Sequence, residues 1–235
     1  MEKSFEEIKA RVEAVQERIQ AACIKAGRSR DEVTLVGVTK AQSVQEVRHL
    51  LNAGITTIGE NRVQELLEKE PGLADITHTM HLIGGLQRNK AKYLPGHIDM
   101  LQSLDNEKTL EALEKAFGAS GKTLDVLIEV NIGDESSKNG IDPGELEALA
   151  DRVNASSVLK LRGLMAIPPQ CEGEEVRAYF GKMYQLFVDI RRKKSDNNTI
   201  NTLSMGMSHD FEFAILEGAT MVRVGTDLFG PRVYV

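Results

Sequence analysis

"VTLVGVTKAQS", residues 33–43, is the stretch whose reading decides the fold. Val33, Leu35, Val36 and Val38 form a short run rich in β-branched residues, as a buried strand requires. Ser43 with Glu46 then reads as the capping box that opens a helix. Lys40 stands between the two, at the tip of the strand. Lysine is seldom buried, so simple solvation of a strand end is one reading. The other is that the strand exists to present an amine, and the rest of the chain distinguishes them.

Outward from that unit the alternation recurs. Seven more strand candidates follow: 56–59 ("TTIG"), 78–84 ("HTMHLIG"), 98–104 ("IDMLQSL"), 124–132 ("LDVLIEVNI"), 159–167 ("LKLRGLMAI"), 200–206 ("INTLSMG") and 220–225 ("TMVRVG"). Helical stretches separate them, among them 106–117, one capped by Asp142 with Glu145, and a long one around 174–193. A strand reached through a crossover helix lies parallel to its predecessor, which makes the fold class α/β. Eight such units close as a TIM (β/α)8 barrel; an open doubly wound sheet is the alternative. Ahead of them, Phe5, Ile8, Val12, Val15 and Ile19 recur at helical spacing behind a Ser4–Glu7 capping box, and Gly27 stops the run. This extra N-terminal helix is expected outside the ring. With no Pro/Gly/Ser-rich linker, 1–235 reads as one domain.

Composition narrows the function. A chain of 235 residues, 41% hydrophobic, suits one barrel. Its net charge of −6 argues against nucleic acid as a partner. The charged N-terminal stretch is neither a signal peptide nor a membrane span. Cys23 and Cys171 are far apart and read as reduced thiols of a cytoplasmic protein. No long exposed apolar stripe stands out, so a monomer is expected.

In a TIM barrel, chemistry gathers at the C-terminal ends of the strands. Lys40 is at such an end, and a lysine held there by rigid backbone is suited to attack a carbonyl as a Schiff-base nucleophile. Asn61 follows the second strand, His81, Gly84 and Gly85 the third, and Asn131, Lys138 and Gly140 the fifth. Ser208, within "SMGMSHDFE", stands at an expected helix N-terminus, as a plain N-cap or as an anion contact. Gly225 and Thr226 follow the eighth strand, where backbone amides are free, and loops seven and eight are the usual phosphate cradle. Arg223 faces either solvent or the bore, and inside it needs an acceptor. Glu60 and Arg62 are compatible with a solvated surface pair. A strand-end lysine combined with an anion cradle describes a site for a phosphorylated aldehyde. Two motifs fall away. "GASGKT" (118–123) has Ala116 where a phosphate loop needs glycine and precedes its strand, and His78 with His81 lacks further ligands for a metal.

"VGVTK", "IGENRVQE", "HLIGGLQRNK", "IEVNIGDESSKNG", "RGLMAIPP", "LSMGMSHDFEFAI" and "MVRVGTDLFG" together resemble, in order, the signatures of the pyridoxal 5′-phosphate homeostasis proteins, relatives of the barrel domain of alanine racemase. The resemblance implies a single barrel binding pyridoxal 5′-phosphate (PLP). It implies that Lys40 forms a Schiff base with the cofactor aldehyde, that Ser208 with the amides of Gly225 and Thr226 holds the phosphate, and that Arg223 approaches the pyridine nitrogen. Asn61 would lie beside the ring, with Met165 or His81 lining the pocket; Lys138 matches a family lysine without an assigned role. A cation at the ring nitrogen opposes its protonation and weakens the electron sink. No second β domain of the racemase kind is expected after Val235. The implied function is a PLP carrier or buffer without turnover, handing the cofactor to apo-PLP enzymes. A small PLP-dependent amino-acid racemase is the alternative, and a cofactor-free aldolase using Lys40 is a third reading.

Overall fold

Eight parallel strands close into a barrel in chain order in this computed structural model, which describes residues 2–133, 139–171, 173–193 and 200–231. They are β1 (Thr34–Val38), β2 (Thr57–Glu60), β3 (Thr79–Leu82), β4 (Met100–Leu104), β5 (Leu124–Glu129), β6 (Leu159–Met165), β7 (Thr202–Ser204) and β8 (Met221–Val224). The ring closes where β1 pairs with β8, from Thr34 opposite Met221 to Gly37 opposite Val224. The TIM barrel therefore holds, and the open sheet does not. The helices are α1 (Phe5–Lys25), α2 (Val44–Asn52), α3 (Val63–Lys69), α4 (Glu107–Ser120), α5 (Leu146–Asn154), α6 (Glu174–Lys193), α7 (Phe211–Leu216) and α8 (Thr226–Phe229).

Because strand side chains alternate with period two, each strand has an outward and an inward face. Leu35, Ile58, Leu82, Leu101, Val126, Leu164, Leu203 and Val222 point outward and join the apolar faces of the helices in one buried layer. Met100, Leu127 and Met165 point inward and form a small separate cluster inside the bore. Gly37 lets α2 ride close over β1: a Cβ there would fall 2.6 Å from the Leu50 side chain. The capping box of α1 is present as expected, and α1 lies outside the ring against α2, α7 and α8, over the closure of β8 on β1.

Two details differ from the sequence reading. The third crossover is a short 3-10 helix, Arg88–Tyr93, whose "RNKAKY" buries Ala91 alone and so lacks the apolar stripe of a packed α-helix. Asp142 caps a 3-10 turn, Pro143–Glu145, that feeds α5. Among the described residues no helix is long and apolar enough to cross a membrane.

Candidate functional site

A cavity of about 340 Å³ opens at the C-terminal end of the barrel, and Lys40, Asn61, Ser208, Arg223, Gly225 and Thr226 all line it. Its walls come from opposite ends of the chain.

On one wall, β1 ends in a tight turn. The Gln42 amide donates to the Thr39 carbonyl (3.1 Å), which places Lys40 at the corner, half-buried and facing the cavity. Asn61 stands at the end of β2, with the Gly84–Gly85 loop of β3 pressed against it. A Cβ on Gly84 would lie 2.4 Å from the Asn61 carbonyl oxygen, so only glycine allows this approach. Ser103 fixes the same loop by donating to the Gly84 carbonyl (2.7 Å).

The other wall is built from main chain. The amides of Gly225 and Asp227 both point at the Ser208 hydroxyl oxygen (3.4 Å each), so the start of α8 and Ser208 face one point. Ser208 does not cap α7, as its position had suggested: Asp210 occupies the N-cap of that helix, and Ser208 serves α8 instead. Arg18 of α1 braces this wall from behind. It donates to the Ser208 carbonyl (3.3 Å), pairs with Asp227 and Glu212, and stacks 4.4 Å from the centre of the Phe211 ring.

The floor is charged. Arg223 points into the bore, where it finds the acceptors its burial demands: the Ser204 hydroxyl (2.6 Å) and the Ala166 carbonyl (3.0 Å). Ser204 donates in turn to Gln102 (2.7 Å), whose amide lies 2.8 Å from His81 Nδ1. Burial pulls Arg223 down to about 10, against the pull of Glu129 and Asp210, so it stays a cation at neutral pH. Glu129, at the end of β5, also lines the cavity; burial and then the nearby Asp105 push its carboxyl up to about 7, with Arg223 opposing. His81 is buried beneath the floor, its imidazole pushed down to about 4 by desolvation and therefore neutral.

Met165 lies under the floor, fully buried against Met100 and Leu127, and supports the cavity without lining it. Lys138 lies outside the described residues. Glu60 and Arg62 are not a surface pair: Glu60 is fully buried and bonded to Lys69 (2.7 Å), while Arg62 is exposed. Sequence reasoning missed Arg18, Glu129, Gln102, Ser204 and Lys69. Glu129 alone had a legible signal, since it continues the inward phase of Leu127 along β5.

The alanine racemase N-terminal domain family matches residues 10–233. A protein of Aquifex aeolicus named pyridoxal phosphate homeostasis protein is 44% identical over 95% of this chain and 98% of its own length. Among solved structures, an unknown protein from Bifidobacterium adolescentis is 34% identical, with a TM-score of 0.91 over 97% of this chain and 98% of that one. PipY of Synechococcus elongatus, solved with PLP bound, is 31% identical, with a TM-score of 0.82 over 95% of this chain and all of that one.

Proposed function

The chain belongs to the pyridoxal phosphate homeostasis proteins, within the alanine racemase N-terminal domain family, and on that premise we propose that it is a carrier that holds PLP reversibly and covalently on Lys40. The observation that carries this reading is the meeting, in one cavity, of an amine at the tip of β1, a main-chain anion cradle and a buried cation on the floor. Those three features fit the three chemical ends of PLP: an aldehyde, a phosphate and a pyridine nitrogen. Bound PLP supplies an aldehyde that condenses with amines and a ring that delocalises negative charge.

Each residue then has a role. Lys40 is the attachment point. Ser208 and the amides of Gly225 and Thr226 would hold the phosphate, favoured by the N–H groups gathered at the start of α8. Arg223 would face the pyridine nitrogen, where its fixed positive charge would oppose protonation. That electrostatic choice weakens the ring as an electron sink, which supports storage and delivery over turnover. Asn61 and the Gly84–Gly85 loop would flank the ring, and Met165 backs the floor. The protein acts in the cytoplasm as a monomer that limits free PLP and passes it to apo-PLP enzymes.

Absorbance and chemical trapping test this. Purified protein mixed with PLP is expected to gain a visible band that borohydride bleaches, with the label mapped to Lys40. Exchange of solvent deuterium into the α-position of amino acids at enzyme-like rates would overturn the carrier in favour of a racemase.

A further inference from the structure

The motif "IGENRVQE" places Glu60 and Glu65 outside the cavity, and α3 shows what they do. Lys69, in the last turn of α3, is buried. Its ammonium donates to the Thr39 carbonyl (2.7 Å), to Glu60 Oε1 (2.7 Å) and to Glu65 Oε1 (2.6 Å). Those three acceptors use all three of its N–H bonds. The Thr39 hydroxyl donates to the same Glu60 oxygen (2.6 Å), and Glu65 also accepts the Ala41 amide. The residues immediately before and after Lys40 are thus fastened to α3 by one connected network.

The backbone explains why fastening is needed. Ala41 has φ +61, and among the described residues it is the non-glycine residue with positive φ. Alanine avoids that region because its Cβ crowds the following carbonyl, so the turn does not hold its shape by intrinsic preference. Nor is the network a good device for stability. Glu60 Oε2 is buried without a hydrogen-bond partner, and buried ion pairs seldom outperform apolar packing. A network that is costly to bury and that grips both flanks of one lysine serves that lysine's geometry.

We propose that Lys69, acting through Glu60 and Glu65, is a positioning residue that locks the Lys40 turn and so presents the Lys40 amine to an aldehyde in the cavity. This rests on the reading of Lys40 as the attachment residue. Attachment forms one C=N bond between Lys40 Nζ and the aldehyde carbon and releases one water, so its rate depends on how often the amine lies within reach. Affinity for a phosphate ligand lacking the aldehyde depends on the opposite wall.

The test therefore separates the two quantities in full-length protein. The attachment rate is followed by absorbance on mixing with PLP, and affinity for pyridoxine 5′-phosphate, the corresponding alcohol, by calorimetry. Lys69→Met is expected to slow attachment by about tenfold or more while alcohol affinity stays at the wild-type value. Lys69→Arg, which keeps the charge, recovers part of the rate. Glu65→Gln, at a partly exposed position, slows attachment by about threefold and decides the matter if Lys69→Met fails to fold. Wild-type rates in the variants that fold, or equal losses of rate and alcohol affinity, would overturn the proposal. Borohydride labelling of wild-type protein at a lysine other than Lys40 would instead overturn the attachment reading, a result visible before any variant is made.

Discussion

The two walls of the cavity are made from different materials. The β1–β2 wall fastens the turn that carries Lys40 with side chains: Lys69, Glu60, Glu65 and the Thr39 hydroxyl, all buried or partly so. The β7–β8 wall presents main-chain N–H groups of Gly225 and Asp227 around a single serine hydroxyl. Side-chain scaffolds can be dismantled one atom group at a time. A main-chain cradle yields only to changes that move the backbone itself. The walls should therefore respond to mutation in different ways, and ligand attachment should separate from ligand affinity.

The largest expected effect is on the first wall. Lys40→Ala is expected to abolish borohydride labelling while leaving pyridoxine 5′-phosphate affinity within a small factor of wild type, measured by calorimetry. Loss of both together would break the division of labour. Next comes Gly225→Val. A Cβ at Gly225 would sit 3.3 Å from Val38 Cβ and 3.4 Å from the Val38 carbonyl oxygen, so the added branch must displace the end of β1 or the cradle. An overpacking cost of about 2 kcal/mol is expected as weaker binding of PLP and its alcohol alike. Ser208→Ala removes one hydroxyl and leaves the amides in place. It should weaken both ligands by roughly tenfold, about 1.4 kcal/mol, near the low end for a hydrogen bond to a charged group, with the attachment rate little changed.

The smallest effect concerns the floor between the walls. Glu129 is held at about 7 against an ordinary 4.5, so between those pH values the folded protein binds more protons than the unfolded chain. By linkage, its contribution to stability declines as pH rises through that window and levels off above it. Glu129→Gln removes that dependence. Melting curves recorded across the range should show the variant gaining on wild type between pH 4.5 and about 7, with no further gain beyond. His81, depressed to about 4, has the opposite slope below its ordinary 6.5, but it is present in both proteins and cancels in the difference.

The barrel was legible because its information is local. Each apolar run is short, some of the following helices open on caps such as Ser43 with Glu46 or Asn106, and parallel pairing follows from the connections alone. The cavity residues were legible where a strand end met a loop motif, as at Lys40, Asn61 and Gly225. What escaped was orientation and partnership across distance. Nothing near Ser208 in the chain reveals that it answers to α8 instead of α7. Arg18 looks like any exposed helix position until the fold brings Asp227 and the Ser208 carbonyl beside it. Glu65 and Lys69 have the spacing of an ordinary solvated i,i+4 pair, and only burial against Thr39 and Glu60 shows otherwise.

The closure of β8 on β1 joins the two most distant parts of the strand order, Val36 with Arg223 among them. Such a seam is the pairing of highest contact order in the ring, the slowest kind to form. Lys40 extends from one side of it and Thr226 from the other, with α1 laid across the outside. A molecule gripped at both points would therefore act as a clasp on the seam, and its departure would leave the most entropically expensive joint of the barrel without its cross-link.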